Sequence, residues 1–239
     1  MYGVELQAVE EGKPRAHTTL TILSKFLRAN ADDPLKAKEQ LSEALKWRKT
    51  YRPLDALKEI FSTEKFGKLG CDIVTFNVYA AAAKDPKKTF GDADAFIRWR
   101  VALMELTLQQ LHLNEVTKPI PDYGHGLDPY QAGQVHDYLS VSFFRPPAEV
   151  KASSSKIIDR FQRYYPETVS YKYFVNVPLV MQWMMGAMKA LVSNETVQKM
   201  TWMTYGSSLQ QYLGDGVRED YGGSGPPLTE SAITVVYDD

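Results

Sequence analysis

The run Gln134-Val135-His136-Asp137-Tyr138-Leu139-Ser140-Val141-Ser142-Phe143-Phe144 holds the side chains of this protein best suited to chemistry. In an extended strand, residues two apart share a face. Gln134, His136, Tyr138, Ser140 and Ser142 then point one way, and Val135, Leu139, Val141 and Phe143 the other. One side packs a core; the other offers an imidazole, a phenol and hydroxyls. In a parallel sheet covered by helices, such a polar face lines a cavity or a ligand, because buried polar groups need partners. On an edge strand the same face is merely solvated. The segment alone does not choose between the two.

Arg100 adds a charge to the question. It lies one helical turn after Phe96 and one before Met104. The helix expected from Asp94 to about Asn114 is apolar on most sides, through Phe96, Ile97, Trp99, Val101, Leu103, Met104, Leu106, Leu108 and Leu111. A guanidinium among such groups needs an anionic or hydrogen-bonding partner. A glutamate or a helix-terminal carbonyl is the ordinary one; a carboxylate, phosphate or tyrosinate in a pocket is the functional one. A later segment, Leu179 to Leu191, carries Met181, Trp183, Met184, Met185 and Met188. Flexible, polarizable methionines suit either an irregular core or a movable gate over apolar cargo.

Other chemistries lack their residues. The chain has no GxSxG, no HExxH, no cysteine partnered by a histidine and no carboxylate pair in a plausible site. Four histidines, His17, His112, His125 and His136, do not suggest a multi-histidine metal centre. Cys71, the single cysteine, excludes an internal disulfide and any CxxC motif, and a reducing compartment fits best. With 28 basic against 29 acidic residues, the net charge of -1 gives no field to attract nucleic acid. The apolar run at 179–192 is broken by Gln182 and Lys189 and falls short of the roughly 20 residues that cross a bilayer. The opening residues, Tyr2 to Leu6, read as folded protein and not as a signal peptide.

The elements that must position these groups follow from spacing. Leu20, Leu23, Phe26 and Leu27 predict an amphipathic helix over Thr18 to Asn30. Asp33 before Pro34 is an N-cap with proline at the first helical position, and Arg52-Pro53 ends that second helix. Ile73 to Tyr79 reads as a strand, Lys84 to Lys88 as a solvated basic turn, and Thr117 to Gly133 as a long loop. After the central strand, Pro146-Pro147 opens a helix ending near Tyr165. Tyr171 to Val177 is a strand, Pro178 starts the Met-rich helix, and Thr201 to Tyr205 is a further strand. Helices alternating with short apolar strands imply an α/β domain with a mainly parallel sheet. The glycine-rich Tyr221 to Pro227 stretch lacks the context of a phosphate loop.

Three runs, Phe161-Gln162-Arg163-Tyr164-Tyr165-Pro166-Glu167, Tyr173-Phe174-Val175-Asn176-Val177-Pro178 and Tyr221-Gly222-Gly223, resemble the CRAL-TRIO lipid-transfer family. Phe96-Ile97-Arg98-Trp99-Arg100-Val101-Ala102-Leu103-Met104-Glu105, taken with Gln134-Val135-His136-Asp137-Tyr138, is similar to its divergent fungal branch of haem-binding, non-classical phosphatidylinositol-transfer proteins. The resemblance covers nearly the whole chain. It implies a small N-terminal helical part over residues 1–62 and a ligand-binding domain over 63–239. In that domain a mainly parallel sheet floors one enclosed pocket, with Leu179 to Leu191 as the gate helix.

The resemblance also implies roles. Glu167 and Lys199 fall at the positions that meet the inositol phosphate of the lipid headgroup. Tyr138 falls at the tyrosinate axial ligand of a ferric haem b, with His136 beside it and Arg100 and Lys172 close to the porphyrin. A hard anionic oxygen favours ferric iron. Arg100 is expected to favour the ionised phenol of Tyr138, and Lys172 to pair with a propionate. The family implies a carrier and not an enzyme; peroxidase- or catalase-like chemistry needs a distal acid–base group, and none is evident. Its expected partners are haem, phosphatidylinositol and a membrane touched peripherally, with no nucleic acid. The expected location is the cytoplasm, at the surface of the endoplasmic reticulum or microsomal membrane. Two departures stand out: Asn30 replaces the tyrosine of some members, and the Lys68 to Phe76 segment is short.

Overall fold

Asp33 begins a helix by the means its sequence predicts. Its carboxylate accepts from the backbone N–H of Leu35 and Lys36, Pro34 takes the first position, and the left-handed Arg52 followed by Pro53 ends the helix. This is α2 (Pro34–Tyr51), packed on α1 (His17–Ala29). A computed structural model of the chain describes residues 1–8, 12, 14–62, 70–71, 74–122, 126–141, 147–182 and 197–238. The face that α1 buries keeps Phe26 and Leu27 of the predicted stripe but is rotated away from Leu23. Thr19, Ile22, Lys25 and Phe26 turn inward, while Leu23 is exposed.

The strands are β1 (Ile60–Phe61), β2 (Gly70–Cys71), β3 (Val74–Val78), β4 (Ala132–Asp137), β5 (Val169–Val175), β6 (Met200–Trp202), β7 (Ile233–Thr234) and β8 (Val236–Tyr237). Six form one sheet in the order β6-β5-β4-β3-β2-β7. β3, β4, β5 and β6 run parallel; β2 joins its neighbours antiparallel. β1 and β8 make a separate parallel pair, so the C-terminal Ile233 to Tyr237 run adds to both sheets, with strands not among those expected above. Part of the short 68–76 segment, residues 68–69 and 72–73, lies outside the described residues.

The expected basic turn is instead two short helices, α3 (Ala80–Lys84) and α4 (Pro86–Phe90). Pro86 sits at the first position of α4 and Asp85 caps it by accepting from the N–H of Lys88 at 3.0 Å, which is helix-start chemistry and not only turn chemistry. Lys84, Lys87 and Lys88 are solvent-exposed, as expected. Next come α5 (Ala93–Gln110) and, after the long loop and β4, α6 (Ala148–Tyr164).

α5 explains its own composition. One side packs with Phe61, Phe90 and Val235, another places Met104 and Leu108 among Ile22, Phe26 and Ala44, and a third meets the sheet through Thr107 and Arg100. A helix covered all round is apolar all round.

β4 ends earlier than its composition suggests. Asp137 Oδ1 accepts from the N–H of Leu139 at 2.8 Å, closing an Asx turn, and Ser140 adopts a φ of 65°. Ser140 therefore leaves the polar face and Leu139 leaves the core, standing 57% exposed. Ser142, Phe143 and Phe144 lie outside the described residues.

Candidate functional site

Parallel pairing stacks the polar face of β4 against its neighbours. Asn77 stands opposite His136, Gln134 opposite Lys172, His136 opposite Phe174, and Phe174 opposite Trp202. The other face, with Phe76, Val135, Val175, Met203 and Tyr221, is a closed core. On the polar face four rings form a row across four strands. Trp202 and Phe174 lie 3.8 Å apart between centroids, Phe174 and His136 5.0 Å, and His136 and Tyr79 6.0 Å, with interplanar angles of 14–18°. Tyr138 adjoins the row, 5.0 Å from Tyr79 and 6.4 Å from Phe174. The even alternation of Gln134, His136 and Tyr138 thus survives to Tyr138, whose N–H still donates to Val175 at 3.1 Å.

His136 is held neutral. Burial first, then the positive charges of Lys172 and Arg100, push its pKa well below the usual imidazole value. Tyr79 Oη lies 2.8 Å from His136 Nδ1, and burial keeps that phenol protonated. Tyr79 therefore donates to Nδ1, leaving the ring proton on Nε2, 3.4 Å from Gln134 Oε1. Tyr79 was missed in the sequence. Its signal was there: Thr75, Asn77 and Tyr79 alternate along β3 and one residue past its end, as Gln134, His136 and Tyr138 do along β4.

Arg100 is buried, and its guanidinium donates to Asn77 Oδ1. The nearby acid of its helix, Glu105, is taken by Arg48 and Tyr165. Lys172, mostly shielded from water, has its pKa lowered by burial and then by the charges of Lys199 and Arg100. Among the described residues neither Arg100 nor Lys172 has a carboxylate partner, so within that set these two positive charges are uncompensated. Their complement is an anion. Arg100 does not act on Tyr138 as expected: its charge eases the pKa of Tyr79, whereas Tyr138 is raised by burial and by Tyr79.

Glu167 and Lys199, 32 residues apart, meet at 3.0 Å. Glu167 occupies the α6–β5 turn with a φ of 52°, a left-handed conformation that costs a non-glycine residue roughly 1–2 kcal/mol. Its carbonyl accepts from Lys25 Nζ at 2.8 Å and Gln131 Nε2 at 3.1 Å; its carboxylate accepts from Lys199 and, at 3.2 Å, from Gln131 Nε2. Asn30, by contrast, serves the N-terminal helices, its amide donating to Phe26 O at 2.9 Å and Gln40 Oε1 at 2.5 Å.

Beside this charged group lies an apolar cluster of Phe174, Val177 and Met181, flanked by Tyr138, Met200 and Trp202. The indole Nε1 of Trp202 is sealed from solvent with no hydrogen-bond partner among the described residues. Met181 lies in the first turn of the expected gate helix, which is helical over 179–182; Trp183, Met184, Met185 and Met188 lie outside the described residues. Two cavities among the described residues lie elsewhere, one beside Trp47, Tyr51 and Tyr164 and one beside Phe76, Val217 and Leu228. The described residues thus supply the floor of the expected pocket.

A ferric porphyrin needs one hard protein ligand and cations for its propionates. Tyr138, with Arg100 and Lys172 uncompensated on the same face, fits that need. Among the described residues no cluster of three or more His, Cys, Asp or Glu can hold a bare metal ion, and no helix is long and apolar enough to cross a membrane.

Residues 59–223 match the model of the CRAL/TRIO domain family. The chain belongs to that family. It is 47% identical to the phosphatidylinositol transfer protein SFH5 of Phaeosphaeria nodorum, over 97% of this chain and 72% of that protein. It is 44% identical to the phosphatidylinositol transfer protein sfh5 of Sclerotinia sclerotiorum, over 99% of this chain and 59% of that one. Several of these fungal relatives are much longer than the chain, which spans 52% of the sfh5 protein of Botryotinia fuckeliana. The crystal structure of Sfh5 superposes with a TM-score of 0.80 at 33% identity, over 99% of this chain and 83% of that chain. The mainly parallel α/β architecture of a CRAL/TRIO domain is thereby established, among fungal relatives named as phosphatidylinositol transfer proteins. These relatives are named for carrying a lipid and not for catalysing a reaction.

Proposed function

We propose that this CRAL/TRIO domain is a phosphatidylinositol carrier. The observation that carries this reading is the Glu167–Lys199 pair beside the uncompensated Lys172 and Arg100, with the apolar Phe174–Val177–Met181 cluster adjoining. Lys199 meets the lipid phosphate as a point charge, Glu167 accepts from inositol hydroxyls, and the acyl chains lie along the apolar cluster. Leu139, Leu179, Val180 and Tyr205 are exposed just beyond the C-terminal ends of β4, β5 and β6. Those parallel ends share one edge of the sheet, so the four residues offer an apolar rim suited to peripheral membrane contact during loading.

Transfer of labelled lipid between vesicles, with mass spectrometry of the lipid extracted from purified protein, tests this. Inositol lipid should be found. Glu167→Gln should slow phosphatidylinositol transfer about tenfold or more, the worth of a charge-assisted hydrogen bond, while sparing phosphatidylcholine. No inositol lipid, together with unchanged transfer in that variant, refutes the reading.

A second reading is haem on the same floor. It is favoured by Tyr138 beside the neutral His136, with Arg100 and Lys172 free to pair with propionates. The bound group would supply a ferric centre; the protein's part is the phenolic oxygen of Tyr138, which must first shed the proton that burial retains. Protein from haem-replete cells should show a Soret band that weakens or shifts in Tyr138→Phe. A colourless wild-type protein rules this reading out.

A further inference from the structure

Lys25 is the one lysine of α1, and it is fully buried. Its ammonium has three donors and three acceptors around it: Asp128 Oδ2 at 2.9 Å, Tyr130 O at 2.8 Å and Glu167 O at 2.8 Å. A buried charge so fully satisfied acts as a latch, because each of its partners must stay in place for the others to remain paired. Here it ties α1 to the loop before β4 and to the α6–β5 turn.

Glu167 is the residue this latch constrains most. Its left-handed backbone is unfavourable by itself, and its carbonyl is held by Lys25 and Gln131 together. In that conformation its carboxylate reaches Lys199. Without the latch the turn is free to return to the right-handed region, which re-aims the side chain. We infer that Lys25, with its counter-ion Asp128, is a positioning residue for the lipid headgroup site, fixing the backbone of Glu167 so that the carboxylate faces Lys199. The inference rests on the phosphatidylinositol reading for its consequence in transfer; the geometric part stands apart from it.

Lys25→Met alone strands Asp128 in the interior and can unfold the chain, so the informative variant is the double change Lys25→Met/Asp128→Asn, which leaves no lone buried charge. The carbon chemical shifts of Glu167, read by NMR on the full chain, should lose their left-handed signature in this variant. Phosphatidylinositol transfer should fall on the order of tenfold, as in Glu167→Gln, with phosphatidylcholine transfer kept; adding Glu167→Gln should cause no further loss, since both changes act through one group. Unchanged Glu167 shifts overturn the inference. So do equal losses for both lipids, or effects of the two changes that multiply. Should the shifts move as expected while Glu167→Gln leaves phosphatidylinositol transfer intact, the positioning holds and the headgroup reading is the one that fails.

Discussion

Arg48→Met is expected to destabilise the folded chain by about 3–5 kcal/mol, the usual cost of stranding a buried charge. Arg48 lies in the last turn of α2 and meets Glu105 of α5 with its two terminal guanidinium nitrogens, at 2.5 and 2.9 Å. Tyr165, just past α6, donates to the same carboxylate at 2.6 Å. Three helices thus converge on one sealed carboxylate, and removing the arginine leaves it with a single donor. Urea unfolding should show a lower midpoint with an unchanged slope. The paired replacement Arg48→Met/Glu105→Met should recover much of the loss, because no charge is then left alone. A loss under about 1 kcal/mol in the single variant would mean that water reaches Glu105, contrary to its burial.

Arg48 and Lys25 also show what the sequence could not convey. Local chemistry was legible: Asp33-Pro34 gave a helix start, the alternation around His136 gave a polar strand face, and the all-round apolarity of α5 gave a helix buried between layers. Lys25 reads locally as an ordinary solvated lysine, since its partners lie 103, 105 and 142 residues away. The stripe on α1 holds at Phe26 and Leu27 but not at Leu23, because the buried face also takes in Lys25. On that face Ile22 and Phe26 enter the core beside an ammonium whose three acceptors are met only in the folded chain.

The candidate site divides along the same line. Tyr138, His136 and Arg100 announced themselves by alternation or by a charge among apolar neighbours. Glu167, Lys172 and Lys199 came only through the family resemblance, because a single charge at a turn, within a strand or just before one has no local signature. The strand boundary failed at Asp137, whose carboxylate serves three donors: the N–H of Leu139, the amide of Asn176 at 2.7 Å and the phenol of Tyr221 at 2.9 Å. Two of those donors are remote in sequence. Tyr221 also gives the glycine-rich stretch its meaning: it is buried, stacks on Phe76 at 5.5 Å, and is followed by Gly222 at a φ of 88°, where a Cβ would stand 2.4 Å from Ser207 O. The stretch is a structural closure and not a phosphate loop.

Phe174→Ala is expected to cost about 3–5 kcal/mol and to change the charge state of the site as well. Phe174 is buried at the centre of the ring row, stacked between Trp202 and His136. Its removal opens a cavity against both and exposes one face of the imidazole. Burial is the largest cause of the low His136 pKa, so that pKa should rise toward the ordinary value of about 6.5. In the wild-type protein the unfolded chain takes up a proton at His136 below about pH 6.5 and the folded chain does not, so stability falls as pH drops through that window, by up to about 1.4 kcal/mol per pH unit. The variant should show a weaker dependence, because its folded state now accepts the proton too. An NMR titration of the His136 ring checks this directly: no transition near pH 6 in the wild type, and one in the variant. A normal titration in the wild type would mean that water reaches the ring, and with it the argument that Tyr79 donates to a neutral His136 beside Tyr138 would fall. The arrangement has a functional logic. A protonated His136 would crowd a third cation against Arg100 and Lys172, whereas the neutral ring leaves those two charges to a bound anion and presents a flat, partly apolar surface beside them.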